Sequence, residues 1–313
     1  MVYIGVDLGG TNIAVGLVSE EGKILHKDSV PTLLERGPEP VIRDMGTLSL
    51  KVIKDAGYSV DDVKAIGVGV PGLANADGVV IFCPNLKWHM VPLRKIMQEI
   101  INKPVFIDND ATVAALAESV AGASAGVPNS VFLTLGTGVG GGIVINHKIY
   151  SGSHGVGSEL GHMSVKYDGR QCTCGAYGCW EQYSSATALI RNAKEAIEGH
   201  PESLILAEAG GDVEKIDARC VIDASRKGDP IACKIYGEYI HYLAVGIVNI
   251  INSIDPEVIA IGGGVSNAGE YLMEPLREEV KKLIFYKDLP YARIELATLK
   301  NDAGIIGSAM LGK

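Results

Sequence analysis

The sequence predicts an α/β chain made of two related halves. One observation is a strand–glycine turn–strand unit that occurs twice; another is the alternation of short buried strands with helical stretches along the remaining chain. The third is size, because 313 residues with 47% hydrophobic content can bury a substantial core and suffice for two domains around a cleft.

The first unit, Tyr3 to Ser29, reads as a strand, a glycine turn, a second strand, a turn at Glu21-Gly22 and a third strand. The second starts at Val131 to Leu135, passes through Gly136 to Gly142, continues as Ile143-Val144-Ile145 and turns at Asn146-His147. The parallel is detailed: Leu8-Gly9 matches Leu135-Gly136, Gly16-Leu17-Val18 matches Gly142-Ile143-Val144, and Lys23-Ile24 matches Lys148-Ile149. Between the units lie a helical stretch from Val41 to Gly57, a buried strand Ala65 to Val70, a segment from Pro71 to Pro92 that reads as an irregular loop, and a short strand Val105 to Ile107. A helix follows from Ala111, with Asp110 at the position of an N-cap. A glycine-, cysteine- and histidine-rich region from Gly152 to Trp180 precedes mostly helical sequence through Ile254, then a strand Val258 to Ile261, Gly262-Gly263-Gly264 and another helix. No low-complexity linker separates the halves, so the repeat places the border near Ile107: residues 1–107 with 301–313 form a smaller domain and 108–300 a larger one.

The formal net charge of −9 leaves no basic surplus and argues against a nucleic-acid partner. The opening MVYIGVDLGG goes straight into a strand pattern without the features of a cleavable leader, which predicts a cytoplasmic protein. Ile240 to Ile254 is the most apolar late stretch, but His241, Asn249 and Asn252 interrupt it, so a buried helix is expected there and no membrane partner. In such a chain the six cysteines are read as reduced thiols or metal ligands.

Three glycine loops suggest phosphate chemistry. In Asp7-Leu8-Gly9-Gly10-Thr11 the glycines let backbone N–H groups approach phosphate oxygens, Thr11 can donate a hydrogen bond, and Asp7 can hold magnesium through water. The second loop, with Gly136, Thr137, Gly138 and Gly140, lacks the lysine and spacing of a Walker loop and opens no helix. An ordinary turn would explain either loop alone; two in duplicated halves are expected to clamp a nucleotide's β- and γ-phosphates. The third loop, Gly262-Gly263-Gly264, can bring backbone against adenine and ribose, or simply permit helix–strand packing.

Asp108-Asn109-Asp110 ends a strand and starts a helix. A carboxylate there can take the proton of a sugar hydroxyl, with Asn109 binding neighbouring hydroxyls, unless Asp110 serves only as a cap. His162 with Cys172, Cys174 and Cys179 makes a complete Cys3His set separated by turn-forming glycines. Four protein ligands with no open position indicate a structural zinc. Cys83, Cys220 and Cys233 have no such company and are assigned to the core.

The ordered set Asp7-Leu8-Gly9-Gly10-Thr11, Asn109-Asp110, Leu135 to Gly142, Glu159-Leu160-Gly161-His162, Cys172-x-Cys174-Gly175-x-x-Gly178-Cys179-x-Glu181 and Asp302-Ala303-Gly304 resembles the ROK family of repressors, open-reading-frame proteins and sugar kinases, in particular its bacterial glucokinases. The resemblance covers nearly the whole chain. It implies an actin-like, ribonuclease-H-like fold whose C-terminal helix returns to the N-terminal domain. It further implies Asp110 as general base, Asn109, Asp110, Glu159, His162 and Glu181 as sugar ligands together with Gly72 and Asn85, and zinc on His162, Cys172, Cys174 and Cys179. Glucose and ATP with Mg2+ would be the substrates, glucose 6-phosphate and ADP the products, and a homodimer or homotetramer the assembly. Where many members follow the catalytic aspartate with alanine and asparagine, this chain has Ala111-Thr112. Two alternatives stay open: a kinase for another hexose or N-acetylmannosamine, and a sugar-responsive repressor body, which would need a DNA-binding module ahead of Asp7.

Overall fold

The structure is a computed structural model that describes residues 1–313. Strands β1 (Val2–Leu8), β2 (Asn12–Ser19) and β3 (Ile24–Pro31) form the expected meander, with Asp7 opposite Ala14 across the first hairpin. Helix α1 (Pro38–Asp55) leads to β4 (Val63–Val70), which lies parallel to β1. The segment Pro71 to Pro92, expected to be irregular, instead contains a small antiparallel sheet of β5 (Leu73–Ala74), β6 (Val80–Cys83) and β7 (Trp88–Val91). Its inward residues Val80, Cys83, Trp88 and Val91 are buried in the core of the first sheet, so burial outweighs the turn-rich composition. Helix α2 (Leu93–Ile100) returns the chain to β8 (Val105–Asn109), which runs parallel to β4 and into α3 (Asp110–Ala121).

The second unit of the repeat gives β9 (Ser130–Leu135), β10 (Val139–Ile145) and β11 (Lys148–Ile149). After the cysteine-rich region come α4 (Glu181–Ser184), α5 (Ala186–Ile197), α6 (Leu204–Glu208), α7 (Ala218–Arg226) and the long α8 (Pro230–Ile254). No helix is long and apolar enough to cross a membrane. The chain finishes with β12 (Val258–Gly262), α9 (Glu270–Leu283), β13 (Arg293–Leu296), whose strand pattern is too short to stand out in sequence, and α10 (Ala303–Met310).

The two five-stranded sheets have the orders β3-β2-β1-β4-β8 and β11-β10-β9-β12-β13. Each places a meander beside two further strands, which is the structural form of the sequence repeat. Contacts divide the chain into two compact units, one of Met1–Phe132, Gly142–Ser158 and Ala297–Lys313, the other of Leu133–Gly141 and Glu159–Leu296. The border expected near Ile107 lies inside the first of these.

In the first unit, one face of the sheet packs Ile4, Val6, Ile13, Val15, Ile66 and Val68 against α1 and α2. The other face carries Tyr3, Val18 and Ala65 against Ile305, Ile306 and Ala309 of α10 and Ala117 of α3. Helix α10 lies so close that a Cβ on Gly67 would overlap the carbonyl oxygen of Ser308, and one on Gly307 would overlap that of Val113 in α3. Backbone meets backbone at both points. Gly67→Ala is therefore expected to destabilise the protein by about 3 kcal/mol or more, since neither main chain can yield as a flexible side chain would; a urea midpoint unchanged from that of the parent would refute this packing.

Candidate active site

In the first unit, parallel pairing aligns Asp7 of β1 with Gly69 of β4 and Gly69 with Asp108 of β8, so the strand ends deliver two carboxylates and the start of α3 to one edge. The glycine hairpin is pinned at its base: Gly9 N–H donates to Asn12 O at 2.9 Å, and Thr32, the residue after β3, holds it through Thr32 N–H to Thr11 O (2.9 Å) and Thr32 Oγ1 to Gly9 O (2.7 Å). Gly10 and Thr11 at its tip are exposed. Asp7 is the strained member electrostatically. Burial, and secondarily the charge of Asp110, push its carboxyl up to about 6. The first turn of α10 contributes to that burial, because Gly304 packs directly on the Asp7 carboxylate with no room for a Cβ.

At the head of α3 the cap is Asn109, not Asp110. The Asn109 side chain accepts from Ala111 N–H (2.9 Å) and Thr112 N–H (3.4 Å), while Asp110 is the first helical residue. An asparagine accepts through one oxygen and still donates through its amide nitrogen, here to Gly72 O at 3.4 Å. Capping is thus supplied by the neighbour, and Asp110 Oδ1 accepts the local Ala111 N–H at 2.8 Å. Asn85 is exposed in a 3-10 turn over Pro84–Leu86. Thr112 is buried, with its hydroxyl 3.4 Å from Ser158 Oγ, and Ser151 Oγ donates to Asp108 Oδ2 at the same distance. The two ends of the loop 151–158 thereby meet the end of β8 and the first turn of α3, and burial raises the carboxyl of Asp108.

In the second unit, Gly136 N–H closes the other glycine hairpin on Gly138 O at 3.1 Å. The start of α5 supports it: Ala186 N–H donates to Gly136 O (2.8 Å) and Thr187 Oγ1 to Thr137 O (2.7 Å). Neither Thr32 nor Thr187 carries any local sequence signal for this role. The third loop leaves β12 with Gly263 at φ 86°, a left-handed conformation suited to glycine, and Ser266 Oγ donates back to Gly263 O at 2.7 Å. Gly264 then begins a 3-10 turn.

The same unit brings the Cys3His set together. The ligand atoms of His162, Cys172, Cys174 and Cys179 lie within 4.8 Å of one another, with Cys172 Sγ 3.7 Å from His162 Nδ1 and Cys174 Sγ 3.6 Å from Cys179 Sγ. A tetrahedron with zinc–sulfur bonds of about 2.3 Å has edges of about 3.8 Å, so the four donors fit that ion. The loop is shaped by backbone bonds from Cys172 N–H to Ala176 O (2.8 Å) and Gly175 N–H to Cys172 O (2.9 Å). Burial holds the Cys172 and Cys179 thiols above their ordinary range, whereas the backbone N–H of Ala176 lowers that of Cys174. Glu159 precedes the 3-10 turn Leu160–His162, and Glu181 opens α4 directly after the fully buried Trp180, whose indole N–H donates to Tyr242 O at 2.9 Å. Cys172 Sγ donates to Glu181 Oε1 at 3.1 Å, and a Cβ on Gly138 would fall 2.6 Å from Glu181 Oε2. Glu181 therefore touches both the cysteine loop and the glycine hairpin.

The ROK family pattern matches residues 3–313. The chain is 41% identical over 312 residues to a glucokinase of Thermotoga maritima, covering 99% of this chain and 96% of that protein. Among solved structures it is similar to a ROK family glucokinase from Streptomyces griseus in complex with glucose and AMPPNP, at 36% identity and a TM-score of 0.81 over 99% of both chains. A ROK hexokinase from Thermus thermophilus superposes with a TM-score of 0.87 at 33% identity, covering 99% of this chain and 97% of the other. With the family pattern and these relatives spanning nearly its full length, the chain, with its actin-like ATPase fold, belongs to the ROK family.

Proposed function

We propose that the protein is an ATP-dependent sugar kinase that phosphorylates glucose at its 6-hydroxyl, giving glucose 6-phosphate and ADP. The observation that carries this reading is the full-length likeness to glucokinases, supported by an Asp110 released from capping duty by Asn109. Phosphoryl transfer asks a protein mainly for an aligned nucleophile and neutralised phosphate charge. In this reading Asp110 orients and deprotonates the 6-hydroxyl, while Asn109, Glu159, His162 and Glu181, with Gly72 and Asn85, bind the other hydroxyls. The hairpins at Gly9-Gly10-Thr11 and Gly136-Thr137-Gly138, with Gly140, hold phosphates, and Gly262-Gly263-Gly264 lies against the nucleoside. Asp7 would hold the Mg2+ that arrives with ATP, which when bound would neutralise phosphate charge. His162, Cys172, Cys174 and Cys179 would hold a structural zinc that fixes the direction of the remaining His162 ring nitrogen. A cytoplasmic location and a homodimer or homotetramer belong to the same proposal.

The deciding experiment is a coupled ADP-release assay over a panel of hexoses and N-acetylmannosamine, in which glucose is expected to give the highest kcat/KM. Tenfold better use of another sugar would reassign the acceptor. Within that assay Asp110→Asn should lower kcat by about 10²- to 10⁴-fold with glucose binding retained; a variant keeping a tenth of the parent's kcat would make Asp110 a structural residue.

Cys174→Ser is expected to lose bound metal, lower the Tm and weaken glucose binding, with a smaller effect on nucleotide. Elemental analysis and glucose titration check this, and a folded, zinc-free variant with parental glucose affinity would contradict it.

Asp7 gives a pH-dependent outcome. Its carboxyl lies near 6 in the folded protein against about 3.9 when unfolded, so the folded state binds this proton more tightly. The associated stability is fully present below about pH 4 and is lost as pH rises through about 6, amounting to roughly 3 kcal/mol. In chelator and without nucleotide, Asp7→Asn should thus melt above the parent at pH 7.5 and level with it near pH 4, while turnover collapses. Equal melting at pH 7.5 would show that ionising Asp7 is not costly to the fold.

A further inference from the structure

We propose that Glu118 is a positioning residue that fastens the entry of α10 to the helix headed by Asp110, and so holds the first turn of α10 over the Asp7 carboxylate. Its link to catalysis rests on the kinase reading above.

Glu118 lies on α3, the same rigid helix that starts at Asp110, and is completely buried. Both of its carboxylate oxygens act as acceptors. Oε1 accepts from the N–H groups of Thr298 (3.0 Å) and Leu299 (2.9 Å); Oε2 accepts from Ala123 N–H (2.6 Å), more distantly from Thr298 N–H (3.2 Å), and from Thr298 Oγ1 (3.3 Å). Most of these donors are main-chain groups, and Thr298 and Leu299 are about 180 residues away in the chain. A buried carboxylate is a poor space filler, and it is tolerated where N–H donors saturate its oxygens.

The segment it grips leads through the 3-10 turn Lys300–Asp302 directly into α10. From there the contacts are rigid: Gly304 lies against Asp7, and Gly307 lies against the Val113 carbonyl of α3. One end of α3 thus carries the proposed base. Its other end holds the clamp that sets α10 and, through Gly304, the proposed magnesium ligand. Displacing that turn by a fraction of an ångström would alter the relation between Asp7 and Asp110 without touching a sugar contact.

Three variants separate this role from simple stabilisation. Glu118→Gln keeps the volume but turns an amide NH2 toward N–H donors. Gly122→Ala reaches the same clamp without altering the carboxylate, because a Cβ there would overlap Glu118 Oε2. Thr298→Val removes only the hydroxyl bond. Steady-state kinetics with glucose and MgATP would be combined with amide hydrogen exchange at Thr298 and Leu299. For Glu118→Gln and Gly122→Ala we expect kcat to fall about tenfold or more, as misplacement of reacting groups does, with the glucose KM within about threefold and both amides exchanging about tenfold faster. Thr298→Val should stay within about twofold of the parent kcat. Folded Glu118→Gln and Gly122→Ala proteins with near-parental kcat would overturn the proposal, as would a loss spread equally over kcat and glucose KM. If Glu118→Gln does not fold, Gly122→Ala decides. A parent enzyme that turns over no sugar refutes the kinase reading and with it the catalytic part of this proposal, while the exchange data still report on the clamp.

Discussion

The first unit depends on one constraint: α10 is packed with its backbone against both the sheet and α3. A helix usually meets a sheet through side chains, at a distance those side chains set. Here Gly67 and Gly307 remove that spacing, and the main chain of α10 touches the main chain of its neighbours. The position of α10 is consequently set by covalent geometry more than by the adaptable shapes of a core. Asp7 and the head of α3 both belong to elements that α10 touches, so the carboxylates at this edge inherit its precision.

The second unit reaches precision differently. Its cysteine loop is short, turn-rich and poor in regular structure, and its donors come from residues close in sequence. Order there comes from local backbone bonds, from the burial of Trp180 under α8, and from the capacity of four soft donors to close on one ion. Glu181, at the start of a helix of only four residues, sits where the cysteine loop and the hairpin at Gly138 meet.

What could be read from the sequence follows the range of the interactions. The repeated hairpins were legible because strand, glycine turn and strand are adjacent, and the structure shows them as the two meanders. The Cys3His set was legible for the same reason. Composition misled at Pro71 to Pro92, where short strands are held by burial of Trp88 and Cys83 in a distant core. The cap at α3 was misassigned by one position, because Asn and Asp are both good caps and only the backbone angles at Asn109 distinguish them. Gly67 looked like any glycine in a buried strand, and Glu118 like any glutamate in an alanine-rich helix. Both owe their roles to residues in the last segment of the chain, and no local pattern announces a partner so far away.

The placement of α10 also bears on how the protein is made. Synthesis runs from the N-terminus, and domains generally fold as units when their parts are available. Strands β1 to β4 and helix α3 emerge long before α10, which supplies most of the buried residues packed on the sheet face of Tyr3, Val18 and Ala65. Until translation passes Met310, a sheet whose second apolar face is covered only in part, by α3, must wait beside the ribosome while the second unit is completed. Such a nascent chain is a natural client for chaperones, and premature termination before α10 would release a polypeptide with an unfinished first unit even though most of its residues had been incorporated.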